Sequence, residues 1–496
     1  MRNVKFLIIA LILMPLFSSC SKADNATLTF ERTALYFSKW GDKEAQSIKY
    51  VATNATKVAV STCSEGWSAS INESTRTLTV SAPGAKSEGI TNDDLSKEGQ
   101  VVVNALNRDG EYTSYEIHLY ITSTSQVLDE NDSRANCYVV TQPTADYYFD
   151  VMHRPDGTEL ATTSVKLLWQ SNAGVVENVN LVDNQVSFYV GEIEEGSNKL
   201  ENTNAVIAAY NKAGEIIWSW HLWIVEENPL QDFVSYANGA TFMRQNLGAF
   251  TNSDGVNDEQ KILDSYGMYY QWGRKDPFPR PYFFDASSAD DESRYNHKGS
   301  YITETRIESS SKSGILSYAI NNPMNFITNA SCIEEGGDGI GDWLVSADNS
   351  LWNDTSKSVY DPCPFGWRVP TAQDLSFLQL SDTEDSKSVN EVRGQYGWHL
   401  SYGTSSYFWP ACGRRRYTDG KVENINYYTK EEYNPSLDYD PQPQPWAGYY
   451  WTSTTAEEGK AIAMHFDLRT TRSINKFDTN LLAHKANGFQ VRCIKR

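Results

Sequence analysis

Ten consecutive residues constrain the fold of this chain more than any others: Ile216-Ile217-Trp218-Ser219-Trp220-His221-Leu222-Trp223-Ile224-Val225. Side chains on a strand alternate between two faces. Ile216, Trp218, Trp220, Leu222 and Ile224 share one face, and Ile217, Ser219, His221, Trp223 and Val225 share the other. Both faces are too apolar to meet water, so the run predicts a central strand covered on both sides. His221 and Trp223 admit two readings, a sugar site or a satisfied core histidine beside a core indole, and the core reading is preferred.

At 496 residues the chain is too long for one hydrophobic core and should divide into two to four domains. Lys and Arg number 43 against 63 Asp and Glu, a net charge of -20. Losing residues 1–19, with Arg2 and Lys5, takes this to −22. A surface this acidic repels phosphate, which argues against a nucleic-acid partner. The 7 His residues show no metal-ligand spacing. Aromatics are abundant, with 14 Trp, 29 Tyr and 19 Phe, and they suit either β-sandwich cores or stacking on sugar rings.

The chain begins with Arg2 and Lys5, then an apolar run from Phe6 to Leu16, then Phe17-Ser18-Ser19-Cys20. This order reads as a secretory signal, and the run is too short to span a bilayer, which takes about 20 residues. The Ser-Ser-Cys ending resembles the lipobox of Bacteroidetes lipoproteins, although Phe17 stands where Leu is usual. The resemblance implies cleavage after residue 19 and lipidation of Cys20, so that residues 20–26 form a lipidated tether. An ordinary signal peptide cleaved nearby is the alternative. Residues 20–25 also bear a faint likeness to the acidic surface-export signals of that phylum.

Residues 27–126 contain short β-rich runs, among them Ser47–Val51, Gln100–Val103 and Tyr115–Ile121, separated by turns such as Asn107-Arg108-Asp109-Gly110. Many short strands at this spacing predict a β-sandwich. With Gly66-Trp67-Ser68 near its middle, the layout resembles the BACON-type immunoglobulin-like domain, which implies a spacer. After a linker at 127–131, residues 133–226 read as a second β-sandwich. Its opening Ala135-Asn136-Cys137-Tyr138 and closing Trp218-Ser219-Trp220-His221 resemble a module of Bacteroidetes surface proteins, including fimbrillin-related ones.

Residues 232–496 carry a series of motifs. They include Phe242–Gly248, Tyr269–Phe278, Asp361-Pro362-Cys363-Pro364-Phe365-Gly366-Trp367-Arg368-Val369-Pro370-Thr371, Tyr449–Thr454 and Gly488-Phe489-Gln490-Val491-Arg492-Cys493. In this order they resemble the Fibrobacter succinogenes major paralogous domain, over about 265 residues. Thr371 is a natural N-cap, with Asp374 at the capping-box position and Leu375 and Leu378 on one helix face. The Arg-x-Pro-Thr helix and the Gly-Phe-x-x-Arg strand are similar to those of the formylglycine-generating-enzyme family. That resemblance implies a C-type-lectin-like α+β domain. The expected fold class is therefore multidomain and mostly β: two β-sandwich domains followed by an α+β C-type-lectin-like domain.

Without Cys20, six cysteines remain: Cys63, Cys137, Cys332, Cys363, Cys412 and Cys493. An even number in an exported chain permits disulfides. The lectin-like resemblance implies a Cys363–Cys493 bond, on the order of 4 kcal/mol for a loop of this length. Cys332 and Cys412 could pair as well. The formylglycine-generating reaction needs two neighbouring copper-binding cysteines in a Cys-x4-Cys-type segment, and no such pair exists, so the chain is read as not an enzyme. Trp352-Asn353-Asp354 spells a C-type-lectin calcium motif at the wrong place in the domain, without its partner tripeptide. The acidic stretch with Glu334, Glu335, Asp338 and Asp342 offers hard oxygen ligands for Ca²⁺, but it lacks the EF-hand spacing, and the solvated-loop reading is preferred. No other cofactor is expected. The Pro-rich run 436–446, with Tyr433, Tyr439 and Trp446, reads as a recognition surface or as a variable insertion.

The sequence therefore describes a cell-envelope lipoprotein, lipid-anchored to the outer membrane and exposed at the surface, that binds a glycan or another surface protein as an adhesin would. The rival reading is a tip or accessory subunit of a fimbria-like assembly, and the third is the copper enzyme. A Cys20→Ala variant should leave the membrane fraction for the soluble one; its retention in membranes would remove the anchor.

Overall fold

The computed structural model describes residues 24–30, 33–37, 45–82, 98–121, 125–143, 145–182, 184–194, 197–255, 258–281, 294–303, 305–331, 341–380, 396–423, 447–457, 459–467 and 477–496. The chain divides into two compact units, Met1–Ile121 and Thr122–Arg496. Both are built mainly of strands, as expected for a multidomain β protein.

The first unit is a β-sandwich. One sheet runs in the order Thr27–Phe30, Gln46–Thr53, Thr77–Ser81, Ser68–Asn72; the other runs Ala34–Phe37, Tyr112–Ile121, Glu98–Leu106, Lys57–Cys63. Period-two alternation explains both: Ile48, Leu78 and Val80 from one sheet meet Val101, Val103, Ile117 and Leu119 from the other, all buried. Trp67 fills the space between them, its indole edge-on to Phe37. Gly99 lies flush against that indole, and a Cβ there would stand 2.6 Å from Trp67 Nε1, so only glycine fits.

The second unit opens with another sandwich. Its first sheet has the order Cys137–Val140, Ile216–Ile224, Thr203–Tyr210, Ser164–Gln170, and its second Val176–Val182, Gln185–Val190, Ala145–Asp150, Ser125–Val127. Ser125–Val127 pairs in parallel with Ala145–Asp150, so the last residues of the 27–126 segment join this sheet. The strand Ile216–Ile224 lies second in its sheet, parallel to Cys137–Val140 and antiparallel to Thr203–Tyr210. Trp218, Trp220, Leu222 and Ile224 enter the sandwich core beside Phe149, Phe188 and Ile207. Trp223 and Val225, on the opposite face, enter a different core that holds Met243, Leu247, Met268, Tyr270, Trp272 and Phe489. The segment 232–496 is thus the cover that the apolar run requires, and the segments 133–226 and 232–496 share one continuous core.

Residues 232–496 form a seven-stranded sheet and three smaller ones, with only three short α-helices among the described residues. Gly488–Gln490 is central: it pairs with Tyr269–Gln271, with Arg414–Arg415 and with Ala447–Thr455. Phe489 stacks on Trp451 at 4.2 Å, and the buried Arg492 donates to Asn246 Oδ1 (3.0 Å) and to the Phe408 carbonyl (2.8 Å) while lying over Trp409. The Asp361–Thr371 motif is equally structural. Asp361 accepts the backbone N–H groups of Cys363 and Val369 and pairs with Lys357 at 2.5 Å. Thr371 and Asp374 form the capping box of the helix Ala372–Leu375, and Leu375 and Leu378 are buried.

Cys363 and Cys493 are joined in a disulfide, Cα to Cα 6.0 Å, closing a separation of 130 residues. Cys412 is a buried free thiol, hydrogen-bonded by Asn246 Nδ2; Cys332 lies outside the described residues. By the chain-entropy argument a loop of this length contributes about 4–5 kcal/mol. Reduction, or a Cys363→Ser/Cys493→Ser double variant, should lower the melting midpoint of the second unit by roughly 5–15 °C in calorimetry. An unchanged midpoint would show that the bond constrains nothing.

Candidate binding site

The union of the sandwich with the segment 232–496 leaves a cavity of about 320 Å³ at its margin. One wall belongs to the sandwich. Where the strand Ser164–Gln170 ends, Gln170 turns its amide inward to accept the N–H of Val176 at 2.7 Å, and the chain loops over. Ser171 Oγ accepts the N–H of Asn204, and Asn172 Nδ2 donates to the Asn202 carbonyl at 2.9 Å. These bonds set Ser171, Asn172, Glu201 and Asn202 side by side on the lining.

The facing wall comes from the helix Glu259–Asp264 and the segment that follows it. Asp258 caps that helix by accepting the Lys261 N–H. At its end, Asp264 holds Arg280 Nη2 at 2.7 Å and accepts from Gln260 Nε2 at 2.9 Å. Arg280 lies over the Phe250 ring, 5.0 Å from its centre, and both residues are 6% exposed. Asp264 and Phe250 are fixed together because the Phe250 N–H donates to the Asp264 carbonyl at 2.7 Å.

A third element closes the site. Tyr295 pairs with Gln170 through two backbone hydrogen bonds of 2.8 and 2.9 Å, adding a short bridge to the edge of the sandwich sheet. The hairpin turns at Asn296–Ser300, with Gly299 at φ +68°, and returns Tyr301 edge-on to Tyr295 at 6.3 Å. Tyr301 is 58% exposed, a phenol standing beside a cavity that Tyr295 lines.

The cavity is thus lined mainly by planar polar groups, with a phenyl and a phenol among them. Asp264 and Arg280 neutralise one another. Glu201 has no cationic partner among the described residues, and burial pushes its carboxyl above the usual range. Amides and carboxylates on rigid loops donate to and accept from hydroxyls, and rings take the C–H faces of sugars.

The residues expected from sequence lie elsewhere. Tyr433, Tyr439, Trp446, Glu334, Glu335, Asp338 and Cys20 fall outside the described residues. Asp342 is fully buried: Oδ1 accepts the Leu344 N–H, and Oδ2 stands 3.9 Å from Lys485 Nζ. Burial pushes this carboxyl up to about 6, with Lys485 acting against the rise. Among the described residues no three His, Cys, Asp or Glu side chains are grouped to hold a metal ion. In the Trp352-Asn353-Asp354 run, Trp352 is core and Asp354 accepts from Ser453 Oγ. Ten of the 14 tryptophans are less than 2% exposed, so among the described residues a stacking surface comes chiefly from tyrosine and phenylalanine.

His221 and Trp223 are core residues. Trp223 Nε1 donates to the Ala249 carbonyl at 2.8 Å. Asn204 Nδ2 is committed to the Gly248 carbonyl, so its Oδ1 accepts from His221 Nε2 at 2.8 Å; the Tyr270 hydroxyl, 3.3 Å from Nδ1, donates in turn. This network fits a neutral imidazole, and burial lowers its pKa to about 3.

The cavity residues carried no sequence signal, because its walls come from stretches 171–202 and 250–295 that share no motif. Arg280, set between Pro279 and Pro281, is the one residue that composition could have marked.

No family model matches the chain, and no curated protein matches it. Among solved structures it is similar to the D00–D0 domain of intimin (14% identity, 40% of this chain and 96% of that one, TM-score 0.14). It is similar to SGBP-B of the Bacteroides ovatus mixed-linkage glucan utilization locus in complex with a mixed-linkage heptasaccharide (10%, 36% and 41%, TM-score 0.11). A third is the protocadherin gammaB7 EC3–6 cis-dimer (10%, 40% and 52%, TM-score 0.15). At TM-scores this low the likenesses carry no argument.

His221 makes stability pH-dependent. Its folded pKa, about 3, lies below the ordinary value of 6.5, so the unfolded chain takes up the proton first. The stability it lends is complete above pH 6.5 and drains away as pH falls toward 3, at up to about 1.4 kcal/mol per unit. Between pH 6 and 4 the wild type should lose on the order of 2 kcal/mol more than His221→Gln in urea titrations. Equal losses would mean that His221 is not the neutral group described.

Proposed function

We propose that this chain is a lipid-anchored protein of the outer-membrane surface that binds a glycan, without turning it over, in the cavity between the sandwich and the segment 232–496. The observation that carries this reading is the facing of two preorganised walls. Arg280, stacked on Phe250 and held by Asp264, stands across from Asn172, Glu201 and Asn202, with Tyr295 between. A saccharide offers hydroxyls to such amides and carboxylates and a C–H face to the ring. The outer tyrosine, Tyr301, extends the ring surface beyond the cavity.

The cysteine chemistry supports a non-catalytic reading. Cys363 and Cys493 are bonded to one another, and burial pushes the Cys412 thiol up to about 12, so it stays protonated at neutral pH. The leader and the Ser18-Ser19-Cys20 sequence support the anchor.

A glycan array probed with residues 22–496 tests the reading. Specific signals should fall at least about tenfold in Tyr295→Ala and in Asn172→Ala, losses typical of one good polar or stacking contact. An array that stays blank, or signals that both variants leave intact, would refute the cavity as the binding site.

A further inference from the structure

We propose that Glu201 makes this cavity selective for saccharides that carry a free amine and turns away those that carry a carboxylate or sulfate. The inference rests on the glycan reading and names its ligand class. Among the described residues the lining holds three charged side chains: Glu201, Asp264 and Arg280. Arg280 is already committed, with Asp264 at 2.7 Å on one side and the Phe250 ring below. Gln260 adds a second donor to Asp264. The pair is therefore close to neutral as a ligand meets it, and among the described lining residues what remains is the negative charge of Glu201. Its neighbours Ser171, Asn172 and Asn202 carry no charge, and their amides and hydroxyl are partly used in holding the loops together.

A carboxylate half-withdrawn from water, with no cation beside it, is left with incomplete solvation. A ligand ammonium restores what it lacks through a charge-assisted hydrogen bond, stronger than one from a hydroxyl. Among the described lining residues an anionic sugar would find no uncommitted cation, and it would meet Glu201 at close range, where like charges repel. The preference is thus local to one side chain and differs from the general attraction of a chain with net charge -20 for cations.

The test is calorimetric titration of the mature chain in detergent, at neutral pH and physiological salt. The probes are one disaccharide with a single free amine, its N-acetylated counterpart and a uronate disaccharide. The amine form should bind about tenfold tighter than the N-acetylated form, and the uronate weakest. Glu201→Gln should abolish the preference, bringing the ratio of the two affinities to about one. Equal binding of the two forms, a preference that survives Glu201→Gln, or tightest binding of the uronate would overturn the inference. If N-acetylated binding persists in those cases and still falls in Tyr295→Ala, the glycan site stands without the selectivity. If none of the three disaccharides binds and the array is blank, both fail together.

Discussion

The structure of the second unit depends on one constraint: the strand Ile216–Ile224 cannot leave either face in water. Trp218, Trp220 and Leu222 use the sandwich, and Trp223 and Val225 use the segment 232–496. Each buried aromatic of this size withdraws roughly 150–250 Å² from solvent, so covering both faces outweighs the ordering of the loops that deliver the cover. The polar residues on the second face then need partners, and the covering segment supplies them. Ser219 Oγ donates to Asp276 Oδ1 at 2.6 Å and accepts from Lys275, and His221 receives a hydrogen bond from Tyr270. Lys275 and Asp276 are buried against this strand, 2.7 Å apart, and burial lowers the pKa of Lys275. Such a pair adds little net stability over apolar residues, yet it penalises any other docking of the two segments, because one charge would be left alone.

The cavity is a by-product of that docking. A strand covered on both faces fixes the sandwich rigidly on its neighbour, but at the margin the sheet ends at Gln170 while the helix Glu259–Asp264 stands off from it. Tyr295 bridges the gap, through its backbone. Every wall is braced from behind: Asn172 by Asn202, Asp264 by Phe250 and Gln260, Arg280 by Asp264. Ligand groups therefore meet side chains whose geometry is already set, which limits the entropy lost on binding.

What was legible in the sequence followed from short-range rules. The strand Ile216–Ile224 announced itself because the run from Trp218 onward keeps one periodicity, broken only at Ile217, which packs on the sandwich core beside a register shift, and the Thr371 cap because its partner is three residues away. The roles of the Asp361 and Gly488 motifs were less legible. Asp361 works on Lys357, Cys363 and Val369, within eight residues, but Arg492 reaches Asn246 across 246 positions. The cavity was not legible at all. Asn172 and Arg280 meet through a fold, and neither lies in a pattern that period or spacing would select.

The closing of the chain explains how such distant parts are held. Gly488–Gln490 takes three different strands as neighbours, and Ile494–Lys495 pairs with both Thr241–Met243 and Trp367–Arg368. These contacts join positions from 40 residues apart, Tyr450 with Gln490, to 252 apart, Phe242 with Ile494, so the loop-closure entropy must be met before they contribute. The Cys363–Cys493 bond lies between those two groups of pairings and makes the last of them local in effect: once it forms, Trp367 and Lys495 are neighbours along the covalent path. Asp361 holds the Cys363 N–H and so fixes one end of the bond, while the Cys493 carbonyl accepts from Met243 and fixes the other. The terminal strand thereby anchors the core that faces Trp223, and with it the wall that carries Phe250 and Arg280.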